Sequence, residues 1–125
     1  MDNGDCSLMK YIACLINRYD QISSIGSRIE LANGFFTRLK GLLGRTGLAE
    51  GEGMLLSPCS SIHCFGMKFS IDIVFLDRNY QVVGIKENML PGSRASSRKA
   101  RHVLELKAGE VERHSIKIGE QLEFS

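Results

Sequence analysis

Glycine interrupts this chain 13 times against only two prolines, and the stretches left between are mostly long enough for a strand and too short for a helix. One helix is expected. Asn33 can cap it, Phe35, Leu39, Leu42 and Leu43 share one face, and Gly44 and Gly47 stop it, so the spacing predicts a helix over residues 34–43. Strands are expected over 10–16, 28–31, 54–56, 62–69, 71–76, 81–86, 103–106 and 121–124, with a short helical turn over 109–114. Asp77-Arg78-Asn79-Tyr80 reads as a turn between two strands, and residues 91–101 read as a polar connection. Many short strands joined by glycine turns predict a mainly β fold, a jelly-roll-like β-sandwich or barrel with one or two short helices.

At 125 residues there is room for a single compact domain, and the 43% apolar fraction supplies its interior. Residues 9–125 are read as one β-rich domain and residues 1–8 as a flexible N-terminus. Sixteen basic residues against 14 acidic leave a net charge of +2, which gives no global field for nucleic acid or an anionic membrane. The early apolar run from Met9 to Ile16 contains Lys10 and follows Asp2 and Asp5, unlike a signal peptide, and no run reaches membrane-spanning length. Cys6, Cys14, Cys59 and Cys64 lack the spacing of a disulfide framework. A cytoplasmic protein with reduced thiols is expected.

Several blocks of sequence carry a family resemblance. They are Arg38-Leu39-Lys40-Gly41-Leu42-Leu43-Gly44-Arg45 with Gly51-Glu52-Gly53-Met54, then Pro58-Cys59-Ser60-Ser61-Ile62-His63, Met67, Ile71-Asp72 and Phe75-Leu76-Asp77, and last Leu104-Glu105-Leu106, Gly109 and Gly119. Together they resemble domain of unknown function 192, over roughly residues 28–124. The resemblance implies a jelly-roll-like β-sandwich or barrel with short helices and no established activity. The chain departs from the family pattern at Ser70, where proline is usual, and in the basic loop from Arg94 to Arg101.

Asp72 is the most informative single residue. Ile71, Ile73 and Phe75 line one face of its strand while Val74 and Leu76 share its own, so both faces are expected to be buried. A carboxylate there needs a charge partner or several donors, and Arg38, Arg45, Lys68 and His63 are available. A structural ion pair is favoured over catalysis. His63, Phe65, Met67 and Phe69 are expected to alternate onto one mostly apolar face, with His63 a satisfied core or rim residue rather than a base. If His63 met Asp72 across neighbouring strands, the pair could orient an imidazole for binding or proton transfer.

Cys59, His63 and Cys64 bring soft ligands near one another, but neighbours in a strand point to opposite faces and no Cys-x-x-Cys is present, so no metal or other cofactor is expected. The glycines between Arg38 and Gly53 could let main-chain N–H groups approach an anion, with Arg38 and Arg45 framing a carboxylate or phosphate. They are read first as turns, and the arginines alternatively as partners of Asp72 or Glu105. Arg94, Arg98, Lys99 and Arg101 are read as solvated loop charge, and without interleaved aromatic residues nucleic acid is not an expected partner.

The candidate ligand or anion site is therefore Arg38, Arg45, His63, Met67, Asp72 and Glu105. The expected role is a non-catalytic module, monomeric or weakly dimeric, that binds a small polar ligand or a protein partner away from membranes. The alternatives are a hydrolase-like enzyme using His63 and Asp72 with an arginine, and a weak nucleic-acid binder acting through the 94–101 loop.

Overall fold

The computed structural model describes residues 11–32, 47–64 and 67–125. Strands β1 (Tyr11–Arg18) and β2 (Gln21–Ala32) form an antiparallel hairpin. Its two turn residues, Tyr19 and Asp20, both take left-handed φ values, 52° and 61°. Two consecutive left-handed residues match the right-handed twist of a hairpin, a position that Asn-Gly usually signals. Tyr-Asp carries no such signal, and with the serines at 23 and 24 it hides a strand of 12 residues.

The second half of β2 pairs in parallel with β3 (Glu52–Leu56), and β3 pairs antiparallel with β8 (His102–Lys107). Strand β5 (Ile71–Leu76) lies between β8 and β6 (Val82–Met89), while the short β9 (Leu122–Phe124) borders β1. The sheet has seven strands in the order β6-β5-β8-β3-β2-β1-β9. Its two edges come together: Gln81 bridges Gln121, Val82 N–H donates to the Glu120 carbonyl, and Gly119 N–H donates to the Val82 carbonyl. The sheet thus curls toward a barrel that closes at one bridge rather than along a ladder. A separate ribbon pairs β4 (Ser61–His63) with β7 (Arg94–Ser96).

Two apolar cores follow from the curl. On the concave side Ile16, Ile29, Leu55, Val74, Leu104 and Leu106 meet Val82 and Leu122 from the opposite edges, and Val111 of the short helix α1 (Glu110–Arg113) packs against them. On the outer side Met54, Leu56, Ile71, Ile73, Phe75 and Val103 pack against Ile62 and Cys64 of the ribbon segment. Strand β5 feeds both, which is why all six of its residues are buried. Each large aliphatic side chain so buried contributes about 1.5–3 kcal/mol. Gly53 allows β3 and β8 to approach, since a Cβ there would lie 2.4 Å from the Glu105 carbonyl oxygen.

The fold is mainly β, as the glycine spacing requires. Two local expectations are corrected. The strand expected over 62–69 ends at His63, because Met67 N–H turns back to the Cys64 carbonyl at 3.2 Å. The connection expected over 91–101 contains β7, held by the ladder to β4. The expected helix over 34–43 and the terminus 1–8 lie outside the described residues.

Candidate functional site

Asp72 is fully buried on the concave face, and its carboxylate is satisfied by main chain. Oδ1 accepts from Asn88 N–H at 2.8 Å; Oδ2 accepts from Gly109 and Val111 N–H, each at 3.0 Å. The donors belong to a left-handed residue in β6 (Asn88, φ 53°) and to the start of α1, where helical N–H groups have no internal acceptor. Gly109, at φ 99°, gives the chain the left-handed turn that brings both of those N–H groups onto one oxygen. The expected ion pair is replaced by this three-donor cradle, which stitches β5, β6 and α1 together.

The pairing of Asp72 with His63 is likewise not formed. Ile62 and Cys64 face the outer core, so His63 between them points to solvent, directly opposite Arg94 on β7. The expected alternation with Met67 and Phe69 breaks where β4 ends, although both still pack at the edge of the outer core.

What His63 does join is a basic cleft. A concavity of about 570 Å³ is lined by Ser61 and His63 of β4, Arg94 and Ser96 of β7, and Lys86 of β6, and among the described residues no acidic side chain lines it. Lys86 stands opposite Ile73 in the β5–β6 register, on the outer face against which the ribbon packs. Three groups able to carry positive charge and two hydroxyl donors suit a carboxylate or phosphate. Sequence reasoning found His63 and noted the basic run that contains Arg94. It missed Lys86, whose place depends on register across the sheet.

Glu105 occupies the same outer face. Strand register sets Glu30, Met54, Glu105, Ile73 and Lys86 in one row across β2, β3, β8, β5 and β6. Both glutamates are buried, and Glu105 Oε1 has no hydrogen-bond partner among the described residues. Burial pushes the Glu105 carboxyl up to about 8, so at neutral pH it is mostly the uncharged acid. The adjacent Cys64 thiol is also raised, by its own burial first and by Glu105 second. Arg38 and Arg45 lie outside the described residues. Among the described residues no three His, Cys, Asp or Glu side chains converge as a metal site, and no helix is long and apolar enough to cross a membrane.

A curled mixed sheet with a ribbon on its outer face and a basic cleft beside it defines a small, mainly β domain. The DUF192 family, described as an uncharacterized ACR, matches residues 17–124, and the chain belongs to it. A UPF0127 protein of Thermococcus sibiricus is 27% identical over 101 residues, covering 78% of this chain and 66% of that relative, just under two thirds of its length. Two solved structures share the fold. One, of a protein of unknown function from Novosphingobium aromaticivorans, has a TM-score of 0.77 at 25% identity and covers 89% of this chain and 83% of its own. The other, described as a candidate transcription regulator from Sinorhizobium meliloti, has a TM-score of 0.79 at 28% identity and covers 90% of this chain and 92% of its own.

Proposed function

We propose that the protein is a binding module for a small anionic ligand, held in the cleft by Arg94, Lys86 and His63. The observation that carries this reading is the lining itself: three cationic or protonatable groups and two serines converge on one concavity without a carboxylate among the described residues. The arginine fork can take two oxygens of a carboxylate or phosphate, with Lys86 as a point charge beside it. Asp72 contributes nothing to the cleft, because its oxygens are committed to main-chain donors.

A thermal-shift and calorimetric titration with inorganic phosphate and citrate tests the reading. A ligand that binds the folded state raises apparent stability by mass action. Binding of at least one anion is expected, and Arg94→Ala should weaken it by about 10-fold or more, the loss of a charged hydrogen-bonding partner. Neither heat nor a melting shift with either anion would count against the module.

A second reading, contact with nucleic acid, is favoured by the exposure of Arg94, Arg98, Lys99 and Arg101 along β7 and the segment after it, and one structural relative is described as a candidate transcription regulator. It ranks lower because, among the described residues, no aromatic side chain for base stacking lines the cleft. Salt-dependent retention on a DNA column would promote it.

A further inference from the structure

The ribbon face that lines the basic cleft is not uniform along its length. Ser61 stands opposite Ser96 and His63 opposite Arg94, while Ile62 and Ala95 between them turn toward the outer core. All four outward side chains are exposed. Directly opposed side chains in such a ladder stand roughly 5 Å apart at Cβ. Successive outward positions along one strand are roughly 7 Å apart. The cleft is therefore polarised: a pair of hydroxyls marks one end and an imidazole beside a guanidinium the other, with Lys86 of β6 also in the lining.

The two ends call for different ligand groups. Arginine and lysine only donate hydrogen bonds and so suit oxygens that only accept, whereas a serine hydroxyl donates and accepts and so suits another hydroxyl. Lys86 and Arg94 bring two fixed positive charges to the cleft. A single carboxylate balances half of that charge, while a phosphate group, at about −1.5 to −2 near pH 7, balances nearly all of it. Two of its oxygens can also take the arginine fork. Inorganic phosphate fills the cationic end alone and leaves the serines to water.

A concavity of about 570 Å³ lies within the roughly 300–1,000 Å³ typical of small-molecule sites. Among the described residues no aromatic side chain lines it to stack on a nucleobase. We propose that the ligand of the cleft is a small sugar phosphate, its phosphate on Arg94, Lys86 and His63 and its hydroxyls on Ser61 and Ser96. The proposal rests on the anion-binding reading of the cleft and adds to it the class of the ligand and its direction along the ribbon.

Calorimetric titration of the whole chain with glucose 6-phosphate, methyl phosphate and gluconate tests it, at pH 8, where both phosphate esters are dianions because their second pKa lies near about 6. Methyl phosphate carries the charge without the hydroxyls, and gluconate carries hydroxyls with one carboxylate. Glucose 6-phosphate should bind about 10-fold or more tightly than methyl phosphate, the scale of two added hydrogen bonds, and more tightly than gluconate. In the double variant Ser61→Ala, Ser96→Ala that advantage should vanish while methyl phosphate binds as before, a split that general loss of structure cannot produce, since it would weaken both. If methyl phosphate binds and glucose 6-phosphate binds no better, if the advantage survives in the double variant, or if gluconate equals glucose 6-phosphate, the sugar phosphate is ruled out and the anion module stands. No binding of any of the three probes removes both.

Discussion

Strands β5 and β8 each bury one carboxylate, a single register step apart and on opposite faces of the sheet. Asp72 pairs with Leu106 and points inward; Glu105 pairs with Ile73 and points outward. The inward carboxylate takes three main-chain N–H donors, while the outward one leaves Oε1 without a partner among the described residues. Depth alone does not separate them, since both are at most 4% exposed. What differs is the backbone around each. A helix start and a left-handed residue in β6 aim N–H groups at Asp72. Glu105 stands among side chains of neighbouring strands, Met54 on one side and Ile73 on the other, whose own N–H groups serve the ladders. The concave face is thus electrostatically complete and reads as framework, whereas the outer face carries a polar group whose ionisation the fold resists.

The comparison breaks most visibly at Asp72. Asp72→Ala leaves one buried and two part-buried N–H groups without their acceptor; with about 1–3 kcal/mol for the buried one and less for the others, a loss of about 2 kcal/mol or more is expected in urea unfolding. A loss below about 1 kcal/mol would show that the cradle is not what fastens α1 to the sheet.

Glu105 should behave in the opposite sense, through pH. Its folded-state value is raised from 4.5 to about 8, so the folded chain binds the proton more tightly than the unfolded chain does. The stability tied to that proton is fully present below pH 4.5, erodes as pH rises and is gone above about pH 8. Unfolding free energies measured from pH 5 to 9 should fall by a few kcal/mol in the unmodified protein. They should fall much less in Glu105→Gln, which cannot ionise. Equal slopes in the two proteins would mean that Glu105 ionises freely in the folded state. On the other side of β8 from Asp72, Gly53 pairs with Leu106 beside Glu105, and Gly53→Ala, forced against the Glu105 carbonyl oxygen 2.4 Å away, should cost about 1–3 kcal/mol.

The sequence made the inner and outer faces of β5 legible, because a strand apolar on both sides must be covered on both sides. It also showed that Asp72 would need a charge partner or several donors, and it favoured the partner over the donors that the fold supplies. It could not supply them, because the donors are N–H groups placed by a turn 37 residues away at Gly109 and by the conformation of Asn88, 16 residues away. Local composition misled where turn chemistry is unusual: Tyr19-Asp20 lacks the glycine that advertises a hairpin, and the polar Arg94–Ser96 segment becomes a strand only by pairing with β4. For the same reason Ser61 and Ser96, far apart in the chain, carry no signal as a pair until β4 and β7 lie side by side.

The smallest effect on stability is expected in the basic cleft, and it sharpens the comparison most. If the outer face is where binding occurs, its exposed charges should matter for ligand and hardly at all for folding. Lys86 and Arg94 are exposed on β6 and β7, and neither forms an ion pair with any described residue. Lys86→Ala and Arg94→Ala should therefore shift unfolding free energy by less than about 0.5 kcal/mol, the usual range for surface substitutions. In the same preparations, phosphate or citrate binding should weaken, and added salt should weaken it further by screening. A destabilisation above about 2 kcal/mol in either variant would move the cleft from the binding surface to the framework, and the distinction between the two faces would then rest on Glu105 alone.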